Sequence, residues 1–319
     1  MSYAGPDFEP PRPRRSRRGP LTVAVAALVP GALLGWLVYE AVGGSDGGAD
    51  RPTGASSESG GLFAPADGSA ADDEKQNSAP TTGSTTGSAS APATSGPLKG
   101  KVVVIDPGHN PGNFQHTSEI NRKVDIGTSM KECDTTGTST NTGYPEAEFT
   151  LDVAHRMRTV LEAQGATVKL TQDGDRPFGP CIDERARIGN DARADAVVSL
   201  HADGSGTGNR GFHVILPGAV DAGAADTRPI VAPSRDLGER IVGDFVRFTG
   251  SAPSNYIGDG TGLVTRKDLG GLNLSTVPKV FIECGNMRDS KDAARLTSGA
   301  WRQKAAQGIS EGIMSFLRG

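Results

Sequence analysis

The chain has 319 residues, of which 35% are hydrophobic and 5% aromatic; it is poor in core material, so part of it is not expected to fold. Residues 99–319 read as ordinary globular protein, and their 26 basic and 27 acidic residues form no basic stripe of the kind a phosphate backbone requires. That argues against nucleic acid as a partner, and three cysteines without CxxC spacing argue against a thiolate zinc site or a dithiol redox motif.

Arg12, Arg14, Arg15, Arg17 and Arg18 precede an uncharged run of 19 residues, 21–39. As a helix this run would extend about 28 Å, enough to cross a bilayer. Glu40, Asp46 and Asp50 lie on its other side. The positive-inside bias then puts residues 1–20 in the cytoplasm, makes 21–39 a single-pass signal anchor, and exports everything beyond Glu40. A cleaved signal peptide is the alternative, although the run is long for one and Ala41-Val42-Gly43 is a poor cleavage site. Residues 40–98 are rich in Gly, Ser, Thr, Ala and Pro, with Phe63 their one aromatic. Such a composition cannot repay chain entropy by burial, and it predicts a disordered tether with an r.m.s. reach of about 40 Å.

Beyond it, strand-like apolar runs alternate with helical patterns: a strand at 101–105, a helix near 149–164, a strand at 167–170, a helix near 183–193 and a strand at 196–200. A strand at 211–216, an amphipathic helix at 234–249, a buried strand at 279–282 and a closing helix at 299–317 follow. This predicts one α/β catalytic domain over 99–319, monomeric, with a mostly parallel twisted sheet and helices on both faces.

In such folds ligands bind beyond the carboxyl ends of strands. Three apolar runs end in polar residues: one leads into Asp106-Pro107-Gly108-His109, one into His201-Ala202-Asp203, and one into Glu283. A catalytic zinc takes three protein ligands and an open position, and two histidines with one carboxylate are a common set. The Pro107-Gly108 turn lets His109 approach, and Glu146, just before the helix near Phe149, is better placed than Glu148 to complete the set. Glu283 is then free to act as general base toward the water that the metal activates and to pass the proton to the leaving amine. Arg266 is a candidate second charge for the developing oxyanion or the substrate.

At these residues the chain resembles the zinc-dependent N-acetylmuramoyl-L-alanine amidases of the type 3 class. The resemblance is carried by Val103-Val104-Ile105-Asp106-Pro107-Gly108-His109, by Glu146 with Phe149, Leu151 and Ala154, by Ser199-Leu200-His201-Ala202-Asp203, and by residues 278–285. It implies Zn2+ held by His109, Glu146 and His201, catalysis by Glu283, and peptidoglycan or muropeptides as substrate. Cys284 and the long segment 113–144 depart from the pattern and bear on substrate range. Only residues 204–210 separate the second histidine motif from the next strand, which argues against an inhibitory helix there, and the loop 135–142 is a candidate wall of the cleft.

Asp106 either holds its turn or orients His109, and Asp203 is equally ambiguous. His116, His155 and His213 are given no metal role. Cys133 and Cys181, in loops of an exported domain, are expected to pair, while Cys284 is expected to be buried and free. Two other functions stay open: a zinc peptidase cutting within the stem peptide, and a non-catalytic wall-binding protein.

Overall fold

The structure, a computed structural model, describes residues 95–319. The basic segment 1–20, the proposed anchor 21–39 and the tether up to residue 94 lie outside the described residues. Among those described, no helix is long and apolar enough to cross a membrane. Leu98, assigned to the tether from sequence, is fully buried in the core.

The chain runs through β1 (Val102–Pro107), a short α1 (Thr117–Ile120), the hairpin β2 (Lys123–Asp125) and β3 (Met130–Glu132), then α2 (Glu146–Ala163), β4 (Thr167–Leu170), α3 (Ile182–Asp191) and β5 (Ala196–Asp203). There follow β6 (His213–Pro217), a small ribbon of β7 (Asp221–Ala222) and β8 (Ala225–Asp226), α4 (Val231–Thr249), β9 (Leu263–Arg266), α5 (Gly270–Asn273), β10 (Lys279–Asn286), α6 (Ser290–Leu296) and α7 (Gly299–Arg318). The main sheet has the order β4-β1-β5-β10-β6-β9. β4, β1, β5 and β10 are parallel; β6 pairs antiparallel with β10, and β9 parallel with β6. The expected mostly parallel α/β architecture is what forms.

Alternate residues of a strand face opposite sides of its sheet. Val103, Ile105, Val198, Leu200, Val280 and Ile282 point one way, into a core shared with α2, α4 and α7. Fully burying one such side chain stabilises the domain by about 1.5–3 kcal/mol. Val104 and Val197 point the other way, into a smaller cluster with Ile188 of α3. In α2, Phe149, Val153, Met157 and Leu161 recur at helical spacing on the buried stripe.

Three boundaries differ from the sequence expectation in ways that bear on the site. α2 starts at Glu146, not near Phe149, with Pro145 extended as its N-cap. Glu146 and Glu148 thus lie in the first turn, where acidic side chains suit the helix dipole. β5 and β10 do not stop where their residues turn polar: they stay paired through His201 and Glu283. The short edge strand β9, bounded by glycine and polar residues, has no sequence counterpart.

Candidate active site

Because β5 and β10 continue, His201 and Glu283 sit within strands and present their side chains on the sheet face opposite the main core. His109 arrives from the loop after β1, at a positive φ of 62°. A non-glycine residue held there stores about 1–3 kcal/mol of strain. Gly108 makes the approach possible. A Cβ on it would lie 2.3 Å from His201 Cε1 and 2.5 Å from the Leu200 carbonyl oxygen. The close approach expected of His109 at this turn is thus equally an approach to His201.

His109, Glu146 and His201 offer ligand atoms that all lie within 4.8 Å of one another. Glu146 Oε1 is 3.2 Å from His109 Nε2 and 3.0 Å from His201 Nδ1. Main-chain N–H groups orient the carboxylate, Ala202 donating to Oε1 at 3.1 Å and Thr138 to Oε2 at 2.9 Å. The far ring nitrogens are occupied. His109 Nδ1 faces the Thr135 carbonyl at 3.1 Å and Asp134 at 3.3 Å, and His201 Nε2 lies 3.3 Å from Ser199 Oγ. With protons on those outer nitrogens, His109 Nε2 and His201 Nδ1 would be free to act as lone-pair donors to a metal ion. Two imidazole nitrogens and one carboxylate oxygen converging in a mostly buried site match the donor set of a catalytic zinc.

The electrostatics agree. Burial resists charge on His109, but Glu146 and Asp134 outweigh it and lift its pKa to about 10. Burial also opposes ionisation of Glu146, yet His109 and His201 hold its carboxyl below the usual range. A cation bound between these groups would have to displace protons from them.

Beneath the loop lies a buried charge network that sequence reasoning missed. The Arg185 guanidinium of α3 donates to Asp106 at 2.8 Å, to Asp134 at 2.9 Å, and to the carbonyls of Pro107 and His109 at 2.6 and 2.9 Å. Lys279 Nζ donates to Asp106 Oδ2 at 3.0 Å, and Ser199 Oγ donates to the same oxygen at 2.9 Å. Asp106 therefore holds the turn through Arg185, and Asp134 is the carboxylate that orients His109. Burial raises the pKa of Asp134, but Arg185 and His109 hold it at about 2. Nothing periodic marks Asp134 or Arg185 in the sequence.

Glu283 is paired in register with His201 on one side and His213 on the other. Its Oε2 is buried without a hydrogen-bond partner. Burial first, then Glu146 and Asp203, push its proton affinity well above that of an ordinary carboxyl. It lines a cavity of about 320 Å³ together with His109, Glu146, His201 and Asp203. Arg266 is on the wall of this cavity, pinned by Asp268 at 2.9 and 2.6 Å. The cavity adjoins a second one of about 220 Å³ that reaches past Phe281, whose ring stacks on His201 at 5.2 Å, to Lys131 and Ile182. Glu148 faces a different recess. Gly137 of the loop 135–142 presses on the site, since a Cβ there would lie 2.7 Å from His109 Cδ2 and 2.9 Å from Glu146 Oε2; that loop does wall the cleft.

Of the other histidines, His116 packs on Phe178 and binds Glu119, and His155 pairs with Asp173 on the surface. His213 is buried with an unpartnered Nδ1. Cys133 and Cys181 form the expected disulfide, and Cys284 is buried and free. The disulfide ties the residue before Asp134 to the N-terminus of α3, four residues from Arg185.

Residues 103–315 match the model of the N-acetylmuramoyl-L-alanine amidase family. The N-acetylmuramoyl-L-alanine amidase Rv3717 of Mycobacterium tuberculosis is 42% identical over 229 residues, covering 72% of this chain and 91% of that protein. Among solved structures, the amidase Ami1 of Mycobacterium smegmatis aligns with a TM-score of 0.63 at 39% identity, over 69% of this chain and 98% of that one. The apo form of Ami1 from Mycobacterium abscessus aligns with a TM-score of 0.62 at 40% identity, over 69% of this chain and all of that one. The stem peptidase and the non-catalytic alternative give way to this agreement. The chain belongs to the N-acetylmuramoyl-L-alanine amidase family and hydrolyses the bond between N-acetylmuramic acid and L-alanine in peptidoglycan.

Proposed function

We propose that the chain performs this hydrolysis as a zinc enzyme with Glu283 as its proton carrier, tethered to the outer side of the cell membrane. The observation that carries the metal assignment is the convergence of His109 Nε2, Glu146 Oε1 and His201 Nδ1 while the outer nitrogens are engaged elsewhere. His109, Glu146 and His201 would hold the zinc, which would supply activation of water near neutral pH and a Lewis acid for the scissile carbonyl.

The chain's own residues supply the rest. Glu283, its Oε2 free of protein partners, takes the proton from the attacking water as the carbon–oxygen bond forms. It returns that proton to the nitrogen as the carbon–nitrogen bond breaks, so the enzyme ends each cycle unchanged. Arg266, held by Asp268, presents positive charge to the carbonyl oxygen or to carboxylates of the peptide. Asp134 and Ser199 fix the two imidazoles in the tautomers that leave the inner nitrogens unprotonated.

The arginines before the apolar run support membrane attachment. Metal analysis of the full-length protein, with product masses from muropeptide digests, tests the chemistry: one zinc per chain and separate sugar and peptide products are expected. Protein that turns over fully after zinc is stripped would overturn the metal assignment. Membrane fractionation tests the anchor, and a wholly soluble product of the intact chain would refute it.

A further inference from the structure

We propose that Asp203 receives the amino terminus that cleavage creates, and that Tyr256 holds Asp203 in position for it. This rests on the assignment of Glu283 as proton carrier. The amide nitrogen that accepts Glu283's proton leaves as an α-amine, whose pKa near 8 makes it an ammonium at neutral pH. A cation forming beside a metal centre needs a carboxylate other than the metal ligand and the proton carrier.

Asp203 is that group. It lies two residues beyond His201 on β5, hence on the same face and about 6.5 Å along the strand. It lines the cavity that also holds Glu146, His201 and Glu283. The Tyr256 hydroxyl donates to Asp203 Oδ2 at 2.6 Å. Burial, then Asp203 itself, raise the pKa of that phenol, so it remains a donor. Tyr256 is itself fixed: its ring stands edge-on to His213 at 5.9 Å, and just before it the Ser254 N–H donates to the Phe212 carbonyl at 2.7 Å.

Asp203 Oδ1 makes no hydrogen bond to any described residue. No described cation lies within salt-bridge distance of it. Arg266 is committed to Asp268. Burial lowers the pKa of His213, against the opposing pull of Asp203. Glu283 is a second acid. A mere tether for the segment carrying Tyr256 would need only an acceptor, which an asparagine amide oxygen also provides; the ammonium requires the charge. Asp203→Asn separates the two roles.

The probe is a dipeptide beginning with L-alanine, compared with its N-acetylated form, with binding to full-length zinc-loaded protein measured near pH 6.5. Wild type is expected to prefer the free amine, and Asp203→Asn to lose about tenfold or more of that preference, the range of a charged hydrogen bond. The variant keeps its zinc and its affinity for the acetylated peptide, and on muropeptides its kcat falls more than its KM rises. Tyr256→Phe, which keeps the charge but frees the side chain, loses a smaller part of the preference. Wild type indifferent to acetylation, or an Asp203→Asn protein that still prefers the amine, would overturn the proposal. Turnover by Glu283→Gln would refute the proton-carrier assignment alone, since amine preference is read without catalysis.

Discussion

The two faces of the central sheet are built from alternate residues of the same strands, yet they are held together differently. One face carries Val103, Ile105, Val198, Leu200, Val280 and Ile282 against three long helices, and its cohesion is area removed from water. The other carries a small apolar cluster around Val104 and Val197 and, toward the carboxyl ends of the strands, Asp106, Ser199 and His201, where cohesion comes from hydrogen-bonded, paired charge. The first kind of packing tolerates volume-conserving exchange. The second fails when a single partner is removed, because a buried charge is then left uncompensated. The division also assigns tasks: the apolar face fixes where the strands lie, and the polar face uses those positions for chemistry.

The sharpest way to break this comparison is Glu283→Gln. Oε2 of Glu283 is buried without a hydrogen-bond partner, so the proposed proton carrier can be neutralised without breaking a pairing of the fold. Turnover on muropeptides should fall by about 10²–10⁴-fold, with zinc content and melting temperature held or raised. A melting temperature that drops along with turnover would make Glu283 part of the scaffold.

Next in size is a matched pair of substitutions. Asp106→Asn removes the partner of Arg185 and Lys279 and should cost about 3–5 kcal/mol in urea unfolding, with weakened zinc binding because the same guanidinium holds the His109 carbonyl. Leu161→Ala, on the apolar face at the far end of α2, should cost about 2–5 kcal/mol and leave zinc affinity alone. Equal loss of zinc in both would erase the distinction between the faces. Asp134→Asn should be milder for the fold and specific for the site, weakening zinc affinity about 10–100-fold in competition with a chelator.

The smallest effect is a pH signature. Burial raises the pKa of Asp106, but Lys279 and Arg185 overcome it and hold the group below its ordinary value of 3.8. A depressed carboxyl contributes stability that is fully present above the unfolded value and is lost as pH falls through the folded one. The stability gap between wild type and Asp106→Asn should therefore stay constant from pH 7 to about 4 and narrow only below that. A gap already closing between pH 7 and 5 would mean that Asp106 is not held as the ion pairs indicate.

The same asymmetry explains what could be read from the sequence. The apolar face announces itself through periodicity, which locates most strands and helices to within a few residues. His109, Glu146, His201 and Glu283 stood out as polar residues where apolar runs ended or a helix began. Asp134 and Arg185 did not, because a buried ion pair between a loop and a helix leaves no period. Asp106 stands at the end of an apolar run, but its partners Thr171, Lys279 and Arg185 lie 65, 173 and 79 residues away. Polarity reads as a stop signal and places these strand ends too early, whereas main-chain pairing between β5 and β10 carries on regardless of what the side chains are.

Gly108 has a meaning for anyone wishing to rebuild this centre elsewhere. Its amide donates to the Leu200 carbonyl at 2.9 Å and its carbonyl accepts from Thr150 at 2.8 Å, so β1, β5 and α2 meet at a bare Cα. Grafting two histidines and a glutamate onto another scaffold would reproduce the donors without the proximity that aims them. The element to transplant first is a gap the size of one methyl group.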